Sequence, residues 1–250
     1  MKTPKGPLAG KSVLVTRPKE QADSLLSQIK EQGGIPLSFP VVKITGVDPD
    51  FSKHHLSRYR WIVFTSKNGV DHFFRILNDR EWSFEHHKIA AVGEKTARAL
   101  KEWGIQSVLV PERYDAVALV ECLKKEISVG EKVLFPKGSL APSYIKDGLK
   151  DIAEVEEMVV YETKAAEDLD WSLVLKADCF FFLSPSAVSF MIAYFEKKNK
   201  SRILETPAFC IGPTTKQAAL EKGFHHVSMP ERYTAEDMVK LAAHYYQGGS

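Results

Sequence analysis

The chain has no hydrophobic run long enough to cross a bilayer. Its longest, around Cys179-Phe180-Phe181-Phe182-Leu183, is far short of the roughly 20 residues required. It has no excess of either charge. Thirty-four basic against 32 acidic residues leave a net +2, so no general nucleic-acid surface is expected and any basic site is local. Cysteine is scarce. Cys122, Cys179 and Cys210 lie far apart with no CxxC pair, which excludes a disulfide frame and a zinc site. No GxGxxG follows a strand pattern, and no GxxxxGK precedes Ser or Thr, so dinucleotide and P-loop sites are excluded. No GxSxG elbow is present. No paired carboxylates stand at strand ends, which removes the usual Asp/Glu acid–base pair. The first strand ends in Thr16-Arg17-Pro18, without the acidic residues of a phosphorylated receiver. His54-His55, His86-His87 and His225-His226, with His72 and His244, sit in polar segments and read as surface residues rather than metal ligands. The first residues show no apolar signal core. The expectation is a cytoplasmic protein without a membrane span, a zinc site, or a dinucleotide or P-loop site.

What is present is ordinary globular composition, 44% hydrophobic and 26% charged, in 250 residues. The length suits one large or two modest domains. The informative feature is internal similarity. Pro111-Glu112-Arg113-Tyr114 recurs as Pro230-Glu231-Arg232-Tyr233, an offset of 119. The flanks agree. Gly93/Gly212, Thr96/Thr215, Ala99/Ala218, Glu102/Glu221, Gly104/Gly223, Val108/Val227 and Ala116/Ala235 bring the identities to 11 in 32 positions. Chance gives about two. Upstream, Phe64-Thr65-Ser66 pairs with Phe182-Leu183-Ser184, and Gly10–Leu14 with Gly130–Leu134. The chain is a duplication of a unit of about 120 residues, too long a period for a solenoid.

Each copy alternates short apolar runs with helical patterns. Ser12–Thr16, Ile35–Ile44, Trp61–Thr65, Ile89–Val92 and Ser107–Val110 read as strands in the first copy. Pro18 reads as a helix N1 residue, with Leu25, Leu26 and Ile29 on one face and Gly33-Gly34 as the stop. Val70, Phe73, Phe74 and Leu77 form another helix face. In the second copy Lys132–Phe135, Val155–Tyr161, Asp178–Leu183, Ala208–Ile211 and His226–Met229 are the strands. Such alternation implies βαβ units and parallel sheets covered on both faces, here two sheets of five strands. Two arrangements are open. Either each copy is one domain, or one domain nests inside the other. The extended Leu37–Ile44 and Met158–Thr163 segments sit at equivalent places and, paired side by side, would make the two-stranded hinge of a nested arrangement.

In open parallel sheets, ligands bind beyond the carboxyl ends of the strands. The residues there are Thr16-Arg17, Ser66-Lys67-Asn68-Gly69, Gly93-Glu94-Lys95-Thr96, Pro136-Lys137-Gly138-Ser139, Ser184-Pro185-Ser186 and Gly212-Pro213-Thr214-Thr215. Each group precedes a helix. Free N–H groups at helix starts favour anions, and hydroxyls add donors. Taken singly, these residues also read as N-caps and turns. Taken together they describe an anion-binding cleft for a large ligand with several carboxylates or phosphates.

The same segments resemble uroporphyrinogen-III synthases. Carrying the resemblance are Val13–Pro18, Val63–Val70, Ala91–Ala97, Val160-Tyr161-Glu162-Thr163, Phe182–Ser186 and Ile211–Thr215, in order along nearly the whole chain. The resemblance implies two flavodoxin-like doubly wound domains of five strands each, one inserted in the other through a two-stranded β hinge. The expected domains are residues 1–40 with 164–250, and 41–163 including the hinge strands. It also implies the reaction: loss of the terminal hydroxyl of hydroxymethylbilane, an octacarboxylate linear tetrapyrrole, and ring closure with inversion of ring D through a spiro intermediate. The expected protein is a cofactor-free monomer. Many donors and few catalytic carboxylates suit a reaction governed by held geometry. Tyr161 is the expected proton donor to the departing hydroxyl, since phenols stay protonated at neutral pH. The expected substrate-binding residues are Arg17, Ser66, Lys67, Asn68, Gly93, Thr96, Lys137, Gly138, Ser139, Ser184, Ser186, Gly212, Thr214 and Thr215. Lys137 stands where the family often has arginine; it supplies charge but not a bidentate fork. Two other readings remain at this stage. One is a non-catalytic bilobed binder of a polyanionic small molecule; the other is a transferase with two Rossmann-like lobes, for which a nucleotide fingerprint is missing.

Overall fold

Cys179–Phe182 is a strand in which no side chain reaches solvent. A segment apolar on both faces is stable only in a sheet with helices on both sides. The computed structural model holds two such sheets. It describes residues 6–17, 22–50, 55–78, 84, 86–195 and 200–248. The first sheet contains β1 (Ser12–Val15), β2 (Ile35–Ser38), β8 (Cys179–Phe182), β9 (Ala208–Cys210) and β10 (Val227–Ser228). Its order is β10-β9-β8-β1-β2, with every pairing parallel. The second contains β3 (Val42–Gly46), β4 (Trp61–Phe64), β5 (Lys88–Ala91), β6 (Lys132–Gly138) and β7 (Glu154–Ala165), in the order β3-β7-β6-β4-β5. Among these, β7, β6, β4 and β5 run parallel. β3 runs against β7: Val41 accepts from Ala166 N–H and Val47 donates to Val160 C=O, so one strand advances six residues as the other retreats six.

The helices are α1 (Asp23–Glu31), α2 (Lys67–Asn78), α3 (Glu94–Glu102), α4 (Ala116–Glu126), α5 (Tyr144–Leu149), α6 (Ser172–Lys176), α7 (Pro185–Phe195), α8 (Lys200–Glu205), α9 (Pro213–Glu221) and α10 (Ala235–Tyr246). Their buried faces follow the expected spacing. Val70, Phe73, Phe74 and Leu77 of α2 sit at i, i+3, i+4 and i+7, and all four are buried. The equivalent helices α3 and α9 end alike: Gly104 and Gly223 both take positive φ, +86° and +92°, which glycine adopts without a Cβ clash. The expected N1 role of Pro18 lies outside the described residues.

The two copies exchange strands. The first sheet joins β1 and β2 of copy one to β8, β9 and β10 of copy two. The second joins β6 and β7 of copy two to β4 and β5 of copy one. The exchange begins at Phe39-Pro40. The expected strand Ile35–Ile44 breaks there, because Pro40 has no N–H to continue a ladder. Its first half stays in one sheet as β2 and its second half starts the other as β3. The expected strand Ser107–Val110 shrinks to a single parallel bridge, Ala90 to Leu109, before Pro111. α6 and α8 are not legible as periodic patterns, since five and six residues are too few. The chain separates into two compact units, Met1–Lys43 with Lys164–Ser250, and Ile44–Thr163. Val13, Leu25, Ile29, Phe181, Phe209 and Met238 pack in the core of the first. Phe64, Phe73, Phe74, Leu100 and Val160 pack in that of the second.

Candidate active site

Parallel pairing has a direct consequence for the candidate residues. All strands of a parallel sheet end at the same rim, so residues far apart in sequence are gathered there. In the second unit, β4 leads into Ser66, Lys67 and Asn68, β5 into Gly93 and Thr96, and β6 into Gly138 and Ser139. In the first unit, β1 leads into Arg17, β8 into Ser184 and Ser186, and β9 into Gly212, Thr214 and Thr215. In each sheet the strand order reverses at one place, between β4 and β6 and between β1 and β8. Ser66 and Ser184 follow strands at these switch points, where open α/β sheets form their ligand crevices.

Tyr161 is the centre of the second unit's rim. It lies on β7 and is only 8% exposed. A β-bulge places it. The β6–β7 register runs Lys137 to Val159 and then Gly138 to Tyr161, skipping Val160. An extra residue on one strand bends it and re-aims its side chains. Ser139 N–H then donates to the Tyr161 carbonyl at 3.0 Å, while Val160 C=O accepts from Val47 on the other side. The Tyr161 hydroxyl lies 3.2 Å from Ser66 Oγ. Its ring stacks on His72, with centroids 5.5 Å apart and planes at 26°. Gly138 leaves room for that ring. A Cβ on Gly138 would come within 2.4 Å of Tyr161 Cζ and 2.7 Å of its hydroxyl oxygen.

The serines cap helices and still have a hydrogen to give. Ser66 Oγ accepts from Gly69 N–H at 3.0 Å, and Ser184 Oγ accepts from Ala187 N–H at 3.2 Å. Both are three-residue N-cap bonds. Each hydroxyl has a second neighbour, Tyr161 for Ser66 and Ser186 Oγ at 2.9 Å for Ser184. Thr96 and Thr215 occupy equivalent first-turn positions of α3 and α9. They are 4% and 2% exposed, among the few buried polar residues. Among the described residues neither hydroxyl has a hydrogen-bond partner, yet neither oxygen is sealed from solvent. A net gain of about 0.5–1.5 kcal/mol per hydrogen bond is therefore open to a ligand at each. Thr214 is exposed, and Gly212 is buried.

The charged candidates divide. Arg17 follows β1 at intermediate exposure. Lys67 is exposed and lies 3.7 Å from Glu102, an arrangement that contributes little in water. Lys137 is 7% exposed and bonds Glu157 at 2.9 Å, with its ammonium 5.6 Å over the Phe135 ring. Burial alone raises the Glu157 pKa, but hydrogen bonds from Lys137 and Ser143 outweigh it and hold the carboxyl below its ordinary value. Lys137 is thus a neutralised member of β6. Ser139 is exposed; its N–H is spent on Tyr161 and its Oγ accepts from Thr163 N–H at 3.2 Å. Asn68 sits in the first turn of α2 at intermediate exposure.

His72 is the unexpected member of the site. It reads from the sequence as a surface histidine, yet it is half-buried against Tyr161 and also lies beside Gly46. Burial, helped by Arg75, lowers its pKa, so it is neutral at pH 7. A usable signal existed: His72 lies on the helix that Ser66 caps, beside Phe73 of its buried face. Cys179 and Cys210 are buried, as expected of small core residues, and burial pushes both thiols up to about 12. Among the described residues no three His, Cys, Asp or Glu side chains are grouped to hold a metal ion. No helix among them is long and apolar enough to cross a membrane.

Comparison with known proteins bears on this arrangement. The family model described as uroporphyrinogen-III synthase HemD matches residues 23–240. A putative uroporphyrinogen-III synthase of Methanocaldococcus jannaschii is 32% identical over 240 residues, covering 92% of this chain and 96% of that protein. The uroporphyrinogen-III synthase of Chlorobaculum parvum is 29% identical, covering 93% and 98%. The porphyrin biosynthesis protein HemD of Ruminiclostridium josui is 30% identical over 94% of this chain, which spans about half (48%) of that protein's length. Among solved structures, a mutant uroporphyrinogen III synthase from Thermus thermophilus superposes with a TM-score of 0.67 at 17% identity, covering 96% of this chain and 100% of that one. The Helicobacter pylori uroporphyrinogen-III synthetase gives 0.61 at 19% identity, covering 93% and 98%. These two likenesses are of fold.

Proposed function

This chain belongs to the uroporphyrinogen-III synthase family, hydro-lyases of tetrapyrrole biosynthesis, and from that premise we propose how its residues act on hydroxymethylbilane. The rims hold the substrate's carboxylates through N–H groups at the starts of α2, α3, α7 and α9, through the hydroxyls of Ser66, Thr96, Ser184, Ser186, Thr214 and Thr215, and through Arg17. Asn68 and the backbones of Gly93, Gly138 and Gly212 belong to the same set. Lys67 and Ser139, both exposed, reach carboxylates at its margin. Lys137, bonded to Glu157, acts by fixing the β6 rim. The protein works as a monomer in the cytoplasm.

Tyr161 donates a proton to the terminal hydroxyl of hydroxymethylbilane. The carbon–oxygen bond breaks, water leaves, and a resonance-stabilised azafulvenium cation remains. The substituted α-carbon of ring D attacks this cation to form the spiro intermediate. Rearrangement and loss of a proton, which returns to the phenolate, complete the macrocycle. Ser66 holds the Tyr161 hydroxyl in place, and neutral His72 supports the ring without adding a second positive charge. The remaining work is positional: the free substrate closes unaided to the type I isomer, so the protein's contribution is to hold ring D for the inverted closure.

The observation that carries this reading is Tyr161, a buried residue whose hydroxyl lies 3.2 Å from Ser66 Oγ at a strand-end rim rich in donors. The test is incubation with hydroxymethylbilane, oxidation of the products and chromatographic separation of the isomers. Type III product that rises with enzyme concentration is expected. Type I product alone at every concentration refutes the reading.

A further inference from the structure

The longest identical stretch of the duplication, Pro-Glu-Arg-Tyr, has no part in the chemistry proposed for Tyr161 and the strand-end donors. In the structure the two occurrences are built alike. Asp115 N–H donates to Arg113 C=O at 2.9 Å, and Thr234 N–H donates to Arg232 C=O at 2.7 Å. Asp115 and Thr234 then cap α4 and α10, accepting from Ala118 and Asp237 N–H. Both turns leave a large aromatic side chain in solvent: Tyr114 is 56% and Tyr233 54% exposed. Each nevertheless lies against the strand-end glycine of its own unit, the one that starts the helix carrying the unbonded threonine. A Cβ on Gly93 would meet Tyr114 Cβ at 2.9 Å, and one on Gly212 would meet Tyr233 Cγ at 3.6 Å.

A half-exposed tyrosine gains little for the core, and one instance needs no explanation. Two at equivalent rims do. Tyr114 also lines a cavity of about 580 Å³ with Glu94, Arg98, Lys101 and Pro111. Neither Gly93 nor Thr96 lines it, so it flanks the strand-end donors and does not contain them. The amides, hydroxyls and cations of the rims suit carboxylates. They offer nothing to the flat faces of the four pyrroles, which an aromatic wall does.

Building on the synthase reading, we propose that Tyr114 and Tyr233 are substrate-contacting residues, each packing its ring against a pyrrole of the bound tetrapyrrole beside Thr96 and Thr215 respectively. The contact belongs to the ring and not to the hydroxyl. For Tyr114 the Glu94 carboxylate close by raises the phenol's pKa. In the second copy the position equivalent to Glu94 is Pro213, which has no side-chain acceptor to offer Tyr233.

The test uses steady-state kinetics with hydroxymethylbilane on the full chain and its Tyr114→Ala, Tyr114→Phe, Tyr233→Ala and Tyr233→Phe variants, with melting temperatures recorded alongside. Each alanine variant is expected to raise KM about five- to tenfold with little change in kcat for type III product. Each phenylalanine variant restores the wild-type KM, and no variant shifts the melting temperature. Alanine variants with wild-type KM overturn the proposal, as does a loss equal in Phe and Ala. A KM change that tracks a fall in melting temperature assigns the tyrosines a structural role instead and overturns it too. A wild-type chain yielding only type I product refutes the synthase reading and this proposal with it. An active wild type with insensitive tyrosines refutes this proposal alone.

Discussion

Gly138→Ala is the sharpest probe of the Tyr161 site, because one methyl group displaces the hydroxyl without removing it. Gly138 has no positive φ, so alanine meets no backbone strain there. The new Cβ would lie 2.4 Å from Tyr161 Cζ and 2.5 Å from Cε2. Carbon atoms rest at about 3.5–4.0 Å, so the ring or the β6 rim must shift by about 1 Å. The Tyr161–Ser66 pair, already 3.2 Å apart, is then lost. Misplacing a reacting group by about 1 Å can cost on the order of a hundredfold in turnover. Overpacking adds a stability cost of about 1–3 kcal/mol. The expected result is a kcat for type III product about a hundredfold below wild type, close to that of Tyr161→Phe, with a much smaller change in KM. The double variant should be scarcely worse than either single one, because both remove the same positioned proton. The assay is initial-rate conversion of hydroxymethylbilane with isomer separation, over the spontaneous type I background, and a denaturation curve to separate activity from stability. Wild-type turnover in Gly138→Ala, or full additivity with Tyr161→Phe, refutes the reasoning.

Three further outcomes are expected. Glu157→Gln leaves the buried Lys137 ammonium without its counter-charge and should lower unfolding free energy by about 3 kcal/mol, read from urea denaturation; an unchanged midpoint would show that the pair is dispensable. His72 and His87 both have pKa values held below the ordinary 6.5, chiefly by burial. The folded chain therefore binds fewer protons than the unfolded one just below that pH. Their contribution is complete above about pH 6.5 and is lost as the pH falls. The melting temperature should drop on acidification from pH 7, with a shallower slope in the His72→Gln, His87→Gln double variant; equal slopes contradict the assignment. Cys179 and Cys210, buried with thiols pushed up to about 12, should resist alkylation at pH 8 while Cys122 reacts. One thiol modified in the native protein and three after denaturation is the expected count, and native labelling of either buried cysteine at the Cys122 rate counts against it.

Much of the fold was legible because its signals are local. Runs such as Trp61–Phe64 and Cys179–Phe182 are apolar at every position, which only a doubly covered parallel strand accommodates. The helix faces and their glycine stops lie within single turns. The donor-rich strand ends followed from these, since parallel pairing carries every such end to one rim. Three features were not legible. The extended Ile35–Ile44 segment reads as one strand, and its division at Phe39-Pro40 appears only when its halves find different sheets. Lys137 reads as a ligand because lysine at a strand end is usually solvated. Its burial depends on Glu157, a residue of the neighbouring strand. His72 reads as a surface residue because its partner, Tyr161, is on β7.

The duplication, the alternation of strands and helices, the core positions and the donors at the strand ends are all written in the chain, in patterns a few residues wide or in direct repetition. Which strands of the two copies share a sheet is settled only on folding. So is the bulge opposite Gly138 that brings Tyr161 to Ser66, 95 residues away along the chain. The cause is register: side chains alternate faces along a strand, and a one-residue slip against a neighbour brings the next side chain to the face its predecessor would have taken.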